Sequence, residues 1–429
     1  MPDKTLDDWL RSIESLHPRE IDLRLERVQE VLRRLDMPRL PYIVITVGGT
    51  NGKGSVVELV QNALGYAGFR VAAYTSPHLV RFNERMRVDG VPLTDQQILA
   101  SIETVEQVRG DVPLTYFEFT TLSALLAFRQ CAVQVAVLEI GLGGRLDAVN
   151  AVAPEVAVVT SVDLDHMEWL GDNRESIGFE KAGIFRAHRP AIVGDPNPPA
   201  SLLARAREIG ADLKCIGQDF GIRPAGEDLE FWNRQGRNLR VPRTNLTSDL
   251  DGQNTAVAIQ ALLSLPEDFI PSDQSIYESF GKARLLGRFQ RIVDRTRQLT
   301  WILDVAHNVA AVNNLVARLR REAGVTRWHV VLGMLKDKDA RESMALLGQV
   351  VDRWYLAPLP GSRGQSARDL ARKIEGIVPG EVHPCDSIAL ALESARAQAE
   401  MGEGIVVLGS FQLVGPALDI LQLYSESGR

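Results

Sequence analysis

The sequence predicts an α/β protein: a parallel, doubly wound sheet built on a P-loop in the N-terminal domain, and a smaller, Rossmann-like C-terminal domain. Three observations carry this. A β-branched run at 42–47 feeds the Gly-rich turn Val47-Gly-Gly-Thr-Asn-Gly-Lys-Gly-Ser55, which opens a helical pattern at 56–67. Mostly apolar, β-branched runs recur at 133–140 and 156–160, as buried parallel strands require. After residue 297 a second strand–helix alternation runs for about 135 residues, enough for one compact domain. The expected boundaries are 1–286, a hinge at 287–297, and 298–429.

The bulk numbers agree. A chain of 429 residues exceeds one ordinary core. With 45% apolar and 24% charged residues it reads as soluble and globular. A net charge of −7 with no Lys/Arg tract does not indicate a nucleic-acid surface. Cys131, Cys215 and Cys385 are scattered and odd in number, which fits a reducing cytoplasm rather than a disulfide framework or a zinc site. The acidic opening lacks an apolar signal core, and no apolar run approaches the ~20 residues of a membrane span. Cytoplasmic residence follows by default, and a monomer is expected because no long apolar patch stands out.

In order, residues 5–36 read as helical with a turn at His17-Pro18. Residues 70–75 read as a strand ending in Ser76-Pro77-His78. Helices are expected at 94–108 and 119–130. Residues 194–250, Pro-rich at 196–199 and then carrying short β-like pieces near Phe231 and at 239–242, read as the far edge of the first domain. A helix follows at 251–263, then the hinge-like stretch from Leu286 to Asp294. The second domain reads as strand 300–305, helix 309–322, strand 328–333, helix 340–349, strand 353–357, helices 366–375 and 386–400, and strand 404–409.

The turn at 48–55 carries the chemistry. Glycines let backbone N–H groups close on phosphate oxygens, the helix N-terminus adds partial positive charge, and Lys53 supplies a full one. The spacing departs from the usual G-x4-G-K-[ST]: three residues separate Gly48 from Gly52, and Gly54 intervenes before Ser55. The bland alternative is a plain Gly-rich turn. Ligands of parallel sheets sit at carboxyl ends of strands. Glu139 lies there, as a Mg²⁺ ligand or as a cap or salt-bridge partner. In Asp163-Leu-Asp-His166 the imidazole is a metal ligand or a structural histidine. Lys181, beside Glu180, reads alone as half of a solvated surface pair. Near metal ions it would have to be neutral or converted to an anion, for instance a carbamate. Asp304-Val-Ala-His307-Asn308 ends the first strand of the second domain, its polar groups expected to face the cleft between the domains. Arg288, in the hinge, could reach phosphate.

Together these residues resemble the folylpolyglutamate synthase/dihydrofolate synthase family of the Mur-ligase superfamily, ATP-dependent amide-forming ligases. The resemblance spans nearly the whole chain. It rests on Gly49-Thr-Asn-Gly-Lys-Gly-Ser55, Ser76-Pro-His-Leu79, Phe82-Asn-Glu-Arg85, Thr115-Tyr-Phe-Glu118, Gly141-Leu-Gly-Gly-Arg-Leu-Asp147, Glu180-Lys-Ala-Gly-Ile184, Gly287-Arg-Phe289 and Asp304-Val-Ala-His-Asn308.

The resemblance implies that Gly49, Thr50, Asn51, Gly52, Lys53, Gly54 and Ser55 cradle ATP, with Asn254, Arg288 and Asp304 as further nucleotide contacts. It implies two Mg²⁺, one held by Ser76 and Glu139, the other by His166 and a carbamylated Lys181, and leaves room for a monovalent cation. It makes His307 the group that orients the γ-phosphate or the incoming L-glutamate, and counts Lys53, Lys181 and His307 as catalytic. Dihydropteroate or a reduced folate would be met by Leu16 and His17, by Thr115, Tyr116, Phe117 and Glu118, and by Leu146, Asp147 and Ala148. One carboxylate, Asp147, can accept adjacent pterin N–H donors, and Phe117 can stack on the ring. The implied reaction forms an acyl phosphate, which the amine of glutamate then attacks. Two departures from the family stand out: Arg24 where relatives usually have Gly, expected inside a helix, and Val309 where they usually have Pro.

Overall fold

A computed structural model describes residues 4–19, 21–242, 249–283, 286–338 and 340–421. The start of the acidic opening, residues 1–3, and part of the stretch read as the far edge of the first domain, 243–248, lie outside the described residues. The chain divides into two units, Met1–Pro77 with Phe82–Ala283, and His78–Arg81 with Arg284–Arg429.

The first unit is built on an eight-stranded sheet. Its strands are β1 (Ile43–Gly48), β2 (Val71–Tyr74), β3 (Met86–Val88), β4 (Val91–Pro92), β5 (Val135–Glu139), β6 (Val156–Val159), β7 (Pro190–Val193) and β8 (Asp212–Cys215). The order is β4-β3-β2-β5-β1-β6-β7-β8, parallel from β2 to β8, with β3 and β4 antiparallel at one edge. The apolar runs arise because both faces are covered. Val44, Ala136 and Leu138 enter one core with the helix Tyr116–Gln130, while Ile45, Val47, Val135 and Val137 enter another with the helices Lys53–Tyr66 and Asp249–Leu262. Residue-by-residue alternation along one strand thus feeds two cores. A three-stranded antiparallel sheet follows: β9 (Phe220–Ala225), β10 (Asp228–Asn233) and β11 (Asn238–Val241).

The second unit holds a six-stranded sheet of β12 (Gln290–Asp294), β13 (Leu299–Asp304), β14 (Trp328–Leu332), β15 (Val351–Leu356), β16 (Glu381–Pro384) and β17 (Gly404–Leu408). Its order is β12-β13-β17-β14-β15-β16, with β12 the antiparallel edge. Here too alternate residues feed two cores: Ile302, Val330 and Val406 one, Trp301, Val331 and Ile405 the other.

Several expectations need correction. Residues 5–36 form two helices, Leu6–Glu14 and Glu26–Arg34, and the described residues between them, 15–19 and 21–25, are irregular. Arg24 lies in that segment, not in a helix, with its exposed guanidinium 3.3 Å from Asp22. The helix expected from 119 starts at Tyr116, because Thr115 and Glu118 form a capping box. Half of the expected hinge is strand β12, paired in register with β13. Short elements at 86–92, 190–193, 212–215 and 381–384 were not expected. The helix Phe411–Ile420 was masked by its internal Pro416. Val309 in place of proline changes little: Asn308 caps the helix Val309–Leu319 by accepting from Ala311 N–H at 2.9 Å. Among the described residues no helix is long and apolar enough to cross a membrane.

Candidate active site

The phosphate loop sits between β1 and the helix Lys53–Tyr66, at the carboxyl edge of the parallel sheet. Gly49 has φ 140° and Gly52 φ 87°, conformations that side-chain-bearing residues rarely adopt. A Cβ at Gly49 would also lie 1.9 Å from Thr160 Oγ1, and one at Gly52 2.4 Å from Asn254 Oδ1. Nothing lies within 4 Å of a Cβ at Gly54, so crowding does not explain that glycine. Lys53 Nζ donates to the carbonyls of Gly49 and Thr50, both at 3.2 Å, so its charge is held over the loop.

The loop is braced from the segment after β6. Thr50 N–H donates to Ser161 O at 2.8 Å, Asn51 N–H to Ser161 Oγ at 3.0 Å, and Thr160 Oγ1 to Asn51 O at 2.6 Å. Asp163 N–H donates to Thr50 Oγ1 at 3.0 Å. Sequence reasoning missed Thr160 and Ser161 as loop supports. Their only signal was their position just past an apolar strand. Ser55 is buried in the first turn of the helix that the loop opens.

Glu139 ends β5, is buried, and accepts from Ser76 N–H at 3.2 Å at the end of neighbouring β2. Its buried carboxylate is a hard oxygen donor and suits Mg²⁺. Among the described residues no three His, Cys, Asp or Glu side chains gather as a metal site. A cation beside Glu139 therefore needs other oxygen ligands as well.

Lys181 overturns the surface-pair alternative. It is only 4% exposed, in the last turn of the helix Arg174–Ala182. Glu180 turns to Arg145 instead, at 2.9 Å. Burial pushes the Lys181 amine down to about 7, and the Lys53 charge pushes the same way against Asp165 and Asp147. Lys53, Asp165 and Asp147 thus all lie within electrostatic reach of Lys181. His166 adopts a left-handed backbone, φ 51°, ahead of the short helix Met167–Leu170, with Nε2 3.9 Å from Asp165 Oδ2. Asp165, in the motif but not among the expected ligands, emerges as part of this group.

The expected pterin residues divide. Phe117 packs beside Tyr74, ring centroids 6.1 Å apart, and a Cβ at Gly141 would lie 2.6 Å from it. Tyr116 faces Phe82 edge-on, with the Arg85 guanidinium 5.7 Å from its centroid. Ala148 is buried, while Leu16 and Leu146 are partly exposed. Asp147 is buried and already accepts Leu142 N–H at 2.8 Å and Val149 N–H at 2.9 Å. Burial raises its carboxyl to about 7 despite these bonds. The side chain expected to meet the pterin therefore also shapes its own loop. Thr115 Oγ1 accepts Glu118 N–H at 3.3 Å, and Glu118 is buried and bonded to Arg27 and to Thr115 N–H, so both serve the protein first. His17 Nδ1 meets the Arg19 carbonyl at 2.9 Å.

The second unit gathers Arg288, Asp304 and His307. Asp304 ends β13, is half-buried, and accepts Phe289 N–H at 2.7 Å and Ala306 N–H at 2.8 Å. Burial raises its carboxyl, and Arg288 opposes this. Phe289 holds a left-handed backbone, φ 45°, so Asp304 pins a strained turn. The Arg288 guanidinium lies 5.6 Å from the Phe411 ring centroid, and His307 Nδ1 meets the Val305 carbonyl at 2.8 Å.

Comparison with known proteins agrees with this architecture. Two family models match: the Mur ligase middle domain over residues 47–219 and the Mur ligase glutamate ligase domain over residues 287–411. The dihydrofolate synthase/folylpolyglutamate synthase of Escherichia coli is 41% identical over 426 residues, covering 99% of this chain and 97% of that protein. The structure of E. coli FolC in complex with DHPP and ADP superposes with a TM-score of 0.91 at 41% identity, covering 98% and 99% of the two chains. The bifunctional synthase of Yersinia pestis complexed with AMPPNP and Mn superposes with a TM-score of 0.88 at 40% identity, covering 98% of each.

Proposed function

The chain belongs to the dihydrofolate synthase/folylpolyglutamate synthase family of Mur-type ligases, and from that premise we propose that it joins L-glutamate to dihydropteroate and adds further glutamates to reduced folates, consuming ATP. The observation that carries the reading is the phosphate loop with Lys53 at the same sheet edge as buried Glu139, within electrostatic reach of buried Lys181.

A carboxylate oxygen is a poor leaving group, so amide formation needs activation. The substrate carboxylate attacks the γ-phosphorus of ATP in line, giving ADP and an acyl phosphate. Backbone N–H groups of residues 49–55 and the Lys53 ammonium hold the phosphates and offset developing charge. The glutamate amine then attacks the acyl carbon, loses a proton, and phosphate leaves. Ser76 and Glu139 are proposed to hold one Mg²⁺, and His166 with carbamylated Lys181 a second. The buried, largely neutral Lys181 amine is the form that reacts with CO₂. Bound Mg²⁺ would supply charge neutralisation at the transferring phosphoryl group. Asn254 and, from the second unit, Arg288 and Asp304 are proposed nucleotide contacts, with His307 orienting glutamate or the γ-phosphate. Leu16, His17, Phe117 and Asp147 are the proposed pterin contacts. The enzyme acts as a cytoplasmic monomer in this reading.

Phosphate release is measured with ATP, L-glutamate and either dihydropteroate or a reduced folate. Release with both is expected. Activity with only the folate would sink the bifunctional reading, and activity with neither would sink the whole. Lys53→Ala should abolish ADP formation; intact turnover would remove Lys53 from the mechanism.

A further inference from the structure

Between the first two helices the described residues, 15–19 and 21–25, lack regular structure yet carry Leu16 and His17. What fixes them is Arg27, a residue that no motif singled out. Its guanidinium forks two ways. Toward the segment, Nη1 donates to Asp22 Oδ2 at 2.9 Å and Nη2 to the Asp22 carbonyl at 3.0 Å. Toward the helix that presents Phe117, Nε donates to Glu118 Oε1 and Oε2 at 3.1 and 3.2 Å, and Nη2 to Oε1 at 2.9 Å. Glu118 is the capping-box residue of that helix and also accepts Thr115 N–H at 2.8 Å. Asp22 Oδ2 lies 3.6 Å from His17 Nε2. The Arg27, Asp22 and Glu118 side chains are all nearly buried, at 13%, 13% and 4% exposure.

We propose that Arg27 is a positioning residue for the pterin-bearing substrate, locking the His17 segment to the start of the Phe117 helix through the Asp22–Arg27–Glu118 relay. This rests on the reading above that Leu16, His17 and Phe117 meet the pterin. Two pieces of chain, 91 residues apart at Arg27 and Glu118, meet a planar ligand from different elements. Their mutual distance sets the gap the ring enters. A guanidinium fork fixes both distance and orientation, whereas an ammonium fixes neither. Glu118 is thereby an anchor rather than a pterin contact.

The test compares Arg27→Lys, which keeps the charge and loses the fork, with the wild type. Dihydropteroate binding is read by pterin fluorescence and ADP binding by calorimetry. The expected result is dihydropteroate affinity weakened about tenfold or more, with ADP affinity within about twofold. Glu118→Gln should give a similar selective loss, and the double variant should be no worse than the worse single one. Unchanged dihydropteroate affinity overturns the proposal. Equal weakening toward both ligands, or additive losses in the double variant, also overturns it, because either marks general destabilisation. A wild-type protein that binds ADP but no dihydropteroate would instead overturn the pterin reading itself and this proposal with it.

Discussion

Replacing Lys181 with methionine separates the cost of a buried amine from its use. The amine falls from an ordinary value of 10.5 to about 7, first through burial and then through Lys53. A lysine with a lowered folded value is neutral in the native state and charged in the unfolded state between those limits. The unfolded state then binds more protons, so stability rises with pH across this window. The full penalty applies below about pH 7 and disappears above 10.5. At about 1.36 kcal/mol per pH unit it amounts to roughly 5 kcal/mol at low pH and about 3 kcal/mol at pH 8. Methionine fills similar space without a charge to desolvate. In metal-free, CO₂-depleted buffer Lys181→Met should therefore unfold at higher denaturant than the wild type, by up to about 3 kcal/mol at pH 8. The gain should shrink toward pH 10.5. Turnover should fall about 100-fold or more, since the carbamate that would hold metal cannot form. Wild-type turnover should itself drop in CO₂-depleted buffer and recover with bicarbonate. Urea melts at three pH values and a coupled ADP assay decide the matter. A destabilised variant that keeps its turnover would refute both halves of the reasoning.

Other outcomes follow from the same geometry. Gly49→Ala places a methyl 1.9 Å from Thr160 Oγ1 on a backbone at φ 140°, so ADP binding by calorimetry should be lost; wild-type affinity would remove the loop from the nucleotide site. Asp147 has a folded value of about 7, above its ordinary 3.8, so its contribution is full at low pH and is lost as pH rises through about 7. Asp147→Asn puts an amide nitrogen against Leu142 or Val149 N–H, costing about 1–3 kcal/mol, while removing that pH-dependent penalty. At about 1.36 kcal/mol per pH unit the removed penalty is under about 2 kcal/mol at pH 5 and roughly 4 kcal/mol at pH 8, so relative to the wild type the variant should be weaker at pH 5 and at least as stable at pH 8 in urea melts, and an equal difference at both would contradict a buried, neutralising carboxyl.

Much of the site was legible because its signals are local. The strand Ile43–Gly48, the glycines at 49 and 52 and the helix from Lys53 lie within a short stretch, and each residue type answers a backbone requirement at its own position. Most parallel strands were legible as short apolar, β-branched runs, such as Val135–Leu138, Val156–Val159 and Ile405–Leu408. What escaped was brief or polar. The edge strands at 86–92, 212–215 and 381–384 mix polar with apolar residues and carry no clear run, and the Thr115–Glu118 motif read as a ligand-binding signature before its capping geometry and its Arg27 partner were visible.

By itself the sequence determined the Gly-rich loop between strand and helix, the α/β alternation in both units and the family, since these rest on backbone conformation and short-range pattern. Tertiary structure alone decided which charged groups are buried and what they face. Lys181 and Glu180 are neighbours in sequence, yet one is sealed beside Lys53 and the other pairs with Arg145. Asp147 spends both carboxylate oxygens on its own loop, and Glu118 is claimed by an arginine 91 residues away. Desolvation and Coulomb energy depend on distances through space rather than along the chain, so protonation states and side-chain allegiances at this site emerge only when the sheet brings its strand ends together.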